Sequence, residues 1–252
     1  MKNLLAISLC LAATCANADV LTIRADQYCP LNCAPGSSSP GFMIDIANEI
    51  FGKAGHKVDY KLMGWQRAIA EGKAGNIHAI VGALKDDAPD FIYPANEQGR
   101  SMQCFYTLKD HPWQFDGLAS LSKITLGTIN GYSYGEELDA YIKAHEKDGK
   151  VQMLVANDEP LILNIRKLQG KRVDAIVEAQ PVAIYTLKQQ KATDTVHEAG
   201  CEKKAQDIFI AFSPKHPKSH EYAELLSKGM QDLRSSGQLS KILARYGLKD
   251  WR

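Results

Sequence analysis

Charge of one sign is what this 252-residue chain most conspicuously lacks: 30 Lys+Arg stand against 29 Asp+Glu, for a formal net charge of +1. A general nucleic-acid binder needs a basic excess gathered on one face to neutralise phosphates, so that class is excluded. Past the N-terminus, no apolar run approaches the roughly 18 residues that a bilayer span requires. The seven histidines, at 56, 78, 111, 145, 197, 216 and 220, are scattered, and HExxH, GxSxG, GxGxxG and a Walker loop are all missing. No catalytic residue, metal or cofactor is therefore expected. With 45% hydrophobic and 23% charged positions the chain has an ordinary globular composition, and its length allows one large domain or two smaller ones.

The N-terminus reads as an export signal. Met1-Lys2-Asn3 gives a positive start, Leu4 to Ala13 an apolar run, and Ala16-Asn17-Ala18 a small-x-small cleavage site before Asp19. Thr14 before Cys15 disfavours lipid attachment. Cleavage after Ala18 removes Lys2 and no acid, so the exported chain is neutral, and the expected location is the periplasm. It also removes Cys10 and Cys15, leaving Cys29, Cys33, Cys104 and Cys201, an even set suited to two disulfides in an oxidising compartment. Three connectivities are possible. A zinc site is disfavoured by the CxxxC spacing and the absence of a nearby His.

Short apolar strands alternate with amphipathic helices, the pattern of α/β architecture with largely parallel sheets. Strands are predicted at 21–25, 58–62 and 77–82, with helices at 42–54 and 65–71 between them. The same order recurs as strands at 124–128, 151–155 and 173–177, with helices at 134–146 and 161–168, so two similar lobes are expected. Met102 to Leu108 and Asp207 to Phe212 read as paired strands crossing between the lobes, and helices at 219–234 and 238–246 close the chain on the first lobe. This places lobe 1 at 19–106 and 210–252 and lobe 2 at 107–209, with the hinge near 102–110 and 207–213. Cys104 on one crossover and Cys201 just before the other favour a Cys104–Cys201 pair, leaving Cys29 with Cys33. The long bridge closes a loop of about 96 residues, worth roughly 4 to 5 kcal/mol on the chain-entropy view.

Several stretches carry a family resemblance: Leu21-Thr22-Ile23-Arg24-Ala25-Asp26 with Tyr28, Gly41 to Ile46, Trp65-Gln66-Arg67-Ala68 with Gly72, Gly127 to Gly135, Gly170 to Glu178, and Ser236-Gly237 to Tyr246. In this order they resemble the family 3 solute-binding proteins of bacterial ABC importers, the polar amino-acid-binding type. The resemblance implies a type II periplasmic-binding-protein clamshell with a double-strand hinge, closing on a small polar solute and presenting it to an inner-membrane ABC permease. The fold's own physics agrees, since open parallel sheets bind ligands beyond their strand carboxyl ends. A monomer without catalytic activity is the expectation. The same fold also leaves room for a sensor that signals to a receptor, or for an enzyme resembling cyclohexadienyl dehydratase with Glu178 as general acid.

By resemblance, Tyr28 and Trp65 sandwich the solute, and Gly82 and Leu84 present backbone to its carboxylate. The loop containing Tyr132, Ser133 and Tyr134 offers backbone N–H groups at a helix start, although Ser133 with Glu136 has the spacing of a self-satisfying capping box. Glu178 stands where relatives place an acid against a ligand ammonium; alternatively it supplies charge to the start of a helix near Pro181. One departure stands out. The family's Arg after the third strand is replaced by Lys85-Asp86-Asp87-Ala88-Pro89-Asp90, leaving Arg67 and Arg100 as candidates for carboxylate binding and putting an ordinary α-amino-acid ligand in doubt.

Overall fold

A computed structural model describes residues 18–155 and 159–252. The export signal expected over residues 1–18 lies almost wholly outside them. Two five-stranded mixed sheets, each flanked by helices, build two lobes. The first contains β1 (Val20–Ala25), β2 (Lys57–Leu62), β3 (Ala79–Ala83), β4 (Gly99–Ser101) and β10 (Gln206–Phe212), in the order β2-β1-β3-β10-β4. The second contains β5 (Gln103–Leu108), β6 (Leu126–Ile129), β7 (Val151–Leu154), β8 (Ala175–Ala179) and β9 (Val196–Cys201), in the order β7-β6-β8-β5-β9. In each sheet three parallel strands from one half of the chain receive an antiparallel neighbour at the third: β10 on β3, and β5 on β8.

Apolar periodicity explains the helices. Helix α1 (Phe42–Lys53) buries Phe42, Met43, Ile44, Ile46, Ala47, Ile50 and Phe51, and α2 (Trp65–Ala74) buries Trp65, Ala68, Ile69 and Gly72. These i, i+3, i+4 stripes each seat one face on a sheet. Helix α3 (Glu136–His145) and α4 (Pro160–Gln169) serve the second lobe, with α5 (Gln180–Gln189) after β8. Helices α6 (Ser219–Ser235) and α7 (Gln238–Ala244) return to pack on α1, as expected.

Strand membership moves the crossing points. The two strands read as partners at 102–108 and 207–212 do not pair with one another. Strand β5 joins the second sheet, through Cys104↔Glu178 and Cys104↔Cys201, and β10 joins the first, through Asp207↔Arg100. Residues 103–106 thus belong with the second lobe and 206–209 with the first, and the chain crosses near 101–103 and 201–206. The sequence reading failed here because β4, only three residues long, carries too little pattern to register as a strand. Cys29 is bonded to Cys33, and Cys104 to Cys201 across the β5–β9 pair.

Candidate functional site

The carboxyl ends of β1, β3, β6 and β8 face a narrow cleft between the lobes. Its wall includes Tyr28, Trp65, Gly82, Leu84, Tyr132 and Ser133, six of the ten residues singled out from sequence. Tyr28 is held by a tight turn after β1, where its N–H donates to the Asn32 carbonyl at 2.9 Å and the Cys29–Cys33 bridge closes the loop. Its ring meets that of Tyr132 edge-on, at 5.9 Å between centroids. Trp65 begins α2 and is 9% exposed.

The lobes meet through five hydrogen bonds around this space. Tyr28 Oη donates to Glu178 Oε1 at 2.5 Å, and Tyr132 Oη to Asp26 Oδ2. Ser133 N donates to Asp87 Oδ1 at 3.1 Å, Gln66 Nε2 to the Gly131 carbonyl at 2.8 Å, and Gln206 Nε2 to the Tyr134 carbonyl at 3.1 Å. The 130–135 loop can approach so closely because Gly131 and Gly135 have φ of +80° and +102°; a Cβ at either would lie 2.3 or 2.2 Å from the Gln66 or Gln206 amide nitrogen.

Glu178 is fully buried and is not itself part of the wall, although Tyr28 and Ala179, which bond it, are. Oε1 accepts from Tyr28 and from Ala179 N at 2.8 Å, while Oε2 has no partner. Burial pushes its carboxyl up to about 7, against the opposing hydrogen bond from Tyr28. Burial likewise raises Asp26 to about 6, despite the bond from Tyr132, and Asp87 to about 7, despite bonds from the Leu84 and Ser133 N–H groups. Neither Asp26 nor Asp87 was singled out from the sequence, though each follows the carboxyl end of a first-lobe strand, which was the available signal. Gln103 and Gln206 also line the cleft, each with a buried Oε1 that lacks a donor. No Lys or Arg lines it among the described residues.

The remaining candidates fall elsewhere. Arg67 points outward, its side chain 74% exposed and 3.7 Å from Glu71, and so cannot reach a ligand in the cleft. Arg100 is tied to Asp207 at 2.7 Å beside a different groove, which holds it on the sheet edge. Tyr134 is 1% exposed in the second lobe's core, with its Oη accepting from Ile129 N at 2.8 Å. The Ser133–Glu136 capping box does not form. Asp139, one turn further on, instead accepts from Ser133 Oγ at 2.6 Å and from Tyr134 N at 2.8 Å, while Gly135 occupies the N-cap.

This is the two-lobed α/β architecture of type II periplasmic binding proteins. Residues 21–249 match the family of bacterial extracellular solute-binding proteins, family 3, and the chain belongs to it. Among solved structures it is similar to a histidine-bound substrate-binding protein of an ABC uptake transporter from Streptococcus pneumoniae, at 18% identity and TM-score 0.73, covering 91% of this chain and 93% of that one. The arginine-, lysine-, histidine-binding protein ArtJ from Geobacillus stearothermophilus aligns at 15% identity and TM-score 0.74, over 92% and 96%. A histidine kinase sensor domain aligns at 18% identity and TM-score 0.73, over 90% and 95%. At such identities the likeness speaks for the fold. Comparison with curated proteins gives no match.

Proposed function

We propose that this protein captures a small cationic solute in the interlobe cleft and delivers it, in the periplasm, to an inner-membrane ABC permease, without chemical turnover. The observation that carries the reading is Glu178 Oε2, a fully buried oxygen without a partner, next to the wall residues Tyr28 and Ala179 that bond its Oε1. A buried unpaired acceptor is costly, and a cationic N–H donor relieves it. Asp26 and the unsatisfied Oε1 atoms of Gln103 and Gln206 add acceptors on the same side of the balance. Trp65, Tyr28 and Tyr132 supply aromatic faces, which attract cations and pack their alkyl stems.

Isothermal titration of the ligand-stripped protein against amines, amino acids and organic acids tests the proposal. Saturable binding of a cation is expected; binding of organic acids alone refutes it. The raised Glu178 carboxyl would also suit a general acid, as in the enzyme alternative. A cyclohexadienyl acid, however, would bring its own carboxylates to a wall that carries Asp26 and Asp87 and no cation among the described residues, so binding without reaction is the better reading. Turnover of such an acid, lost in E178Q, would reverse that choice.

A further inference from the structure

We infer that Asp87 sets the chemical class of the solute: its carboxylate takes the backbone donors that a bound carboxylate would need, so the cleft accepts an amine and rejects the corresponding amino acid. This deepens the cationic-solute reading and rests on it.

Two N–H groups, one from each lobe, converge on this side chain. Leu84 N donates to Asp87 Oδ2 at 2.7 Å and Ser133 N to Asp87 Oδ1 at 3.1 Å. One carboxylate bridged by two backbone donors from opposing lobes is the arrangement in which a solute carboxylate would be gripped on closure. Here the carboxylate belongs to the chain. The neighbouring donors are spoken for as well: Asp139 holds Ser133 Oγ and Tyr134 N, and Gly135 N donates to Ser133 Oγ at 3.3 Å.

Among the described residues, no Arg or Lys lines the cleft to replace the missing grip. Arg67 faces solvent with Glu71, and Arg100 is engaged by Asp207. Lys85, two residues from Asp87, lies 5.4 Å from the Phe209 ring centre and does not line the cleft. At pH 8, where Asp87 is ionised, a solute carboxylate entering beside it would meet a like charge and two backbone N–H groups already engaged. A cationic nitrogen in the cleft would meet Asp26 and the unpaired Oε1 atoms of Gln103 and Gln206, with the unpaired Glu178 Oε2 buried next to the wall residues Tyr28 and Ala179. An amine thus brings only the donor that these acceptors can use, whereas an α-amino acid also brings a carboxylate to a place where Asp87 already holds the backbone donors.

The test uses matched pairs differing by one carboxylate, namely cadaverine with L-lysine, agmatine with L-arginine, and histamine with L-histidine. Each is titrated calorimetrically into wild type, D87S and D87N, with thermal melts confirming folding. Wild type is expected to prefer the amine of at least one pair by about 100-fold, the scale of a like charge placed in a closed site. In D87S the amino acid of that pair should gain at least about 10-fold while the amine loses no more than that. D87N, which keeps the acceptor but drops the charge, should fall between. A purely structural role would weaken both members together.

Wild type binding an amino acid as tightly as its amine overturns the inference, as does a folded D87S that gains no amino acid. If wild type binds none of the amines but D87S gains an amino acid, the cationic-solute reading fails and the role of Asp87 stands.

Discussion

Replacing Glu178 by Gln separates the two consequences of burying an unpaired acid. The side chain is fully buried, and its carboxyl is raised from 4.5 to about 7. At pH 8, holding it ionised in the folded state therefore opposes folding by about 3 kcal/mol, since each pKa unit is about 1.4 kcal/mol. E178Q keeps the size and the acceptor for Tyr28 and Ala179 but cannot ionise, so the ligand-free variant should be more stable than wild type by up to about 3 kcal/mol. In a chain of this size that is about 6 to 10 °C in melting temperature. Affinity for the solute should move the other way. Removing one partner of a buried charge pair costs roughly 2 to 5 kcal/mol, or about 30- to 5000-fold in Kd. Differential scanning fluorimetry and calorimetric titration at pH 8 read both effects. A variant that melts higher but binds a cationic ligand as tightly as wild type would remove Glu178 from the site. A variant that melts no higher would refute the account of its burial.

The pH dependence follows from the same groups. A carboxyl raised in the folded state adds stability at low pH that is lost as pH climbs through its folded pKa, so the melting gap between E178Q and wild type should open between pH 5 and pH 8. The comparison with E178Q is needed because burial lowers His78 and His216, which costs stability as pH falls in the same window. Removing the Cys104–Cys201 bridge as the double Ala variant, with a sequence separation of 97, should destabilise the protein by roughly 4 kcal/mol, measured by urea titration. A loss below about 1 kcal/mol would show that the unfolded chain gains little freedom from the cut.

Much of the architecture is legible because apolar spacing is a local signal: α1 and α2 announce their buried faces, and the two βαβαβ halves repeat in order. Strand exchange at the crossings is illegible because β5 and β10 are chosen by partners about 70 to 130 residues away, which periodicity cannot see. The site divides similarly. Tyr28 and Trp65, at a strand end and a helix start, are legible by position and line the cleft, while Glu178, at the end of β8, is buried beside it. Arg67 was a false candidate: two residues beyond Trp65 is about 200° around a helix, so a cleft-facing Trp65 turns Arg67 outward toward Glu71. Asp26 and Asp87 went unnoticed because an acid in a loop looks solvated until the other lobe's Tyr132 or Ser133 is brought onto it.

The Cys104–Cys201 bond has a practical corollary. It joins adjacent strands at the point where both connectors leave the second lobe, so a covalent pin holds the two connectors side by side there. Protein made where thiols stay reduced would have that pin drawn, and its ligand affinity should come out weaker than that of oxidised material with an identical sequence.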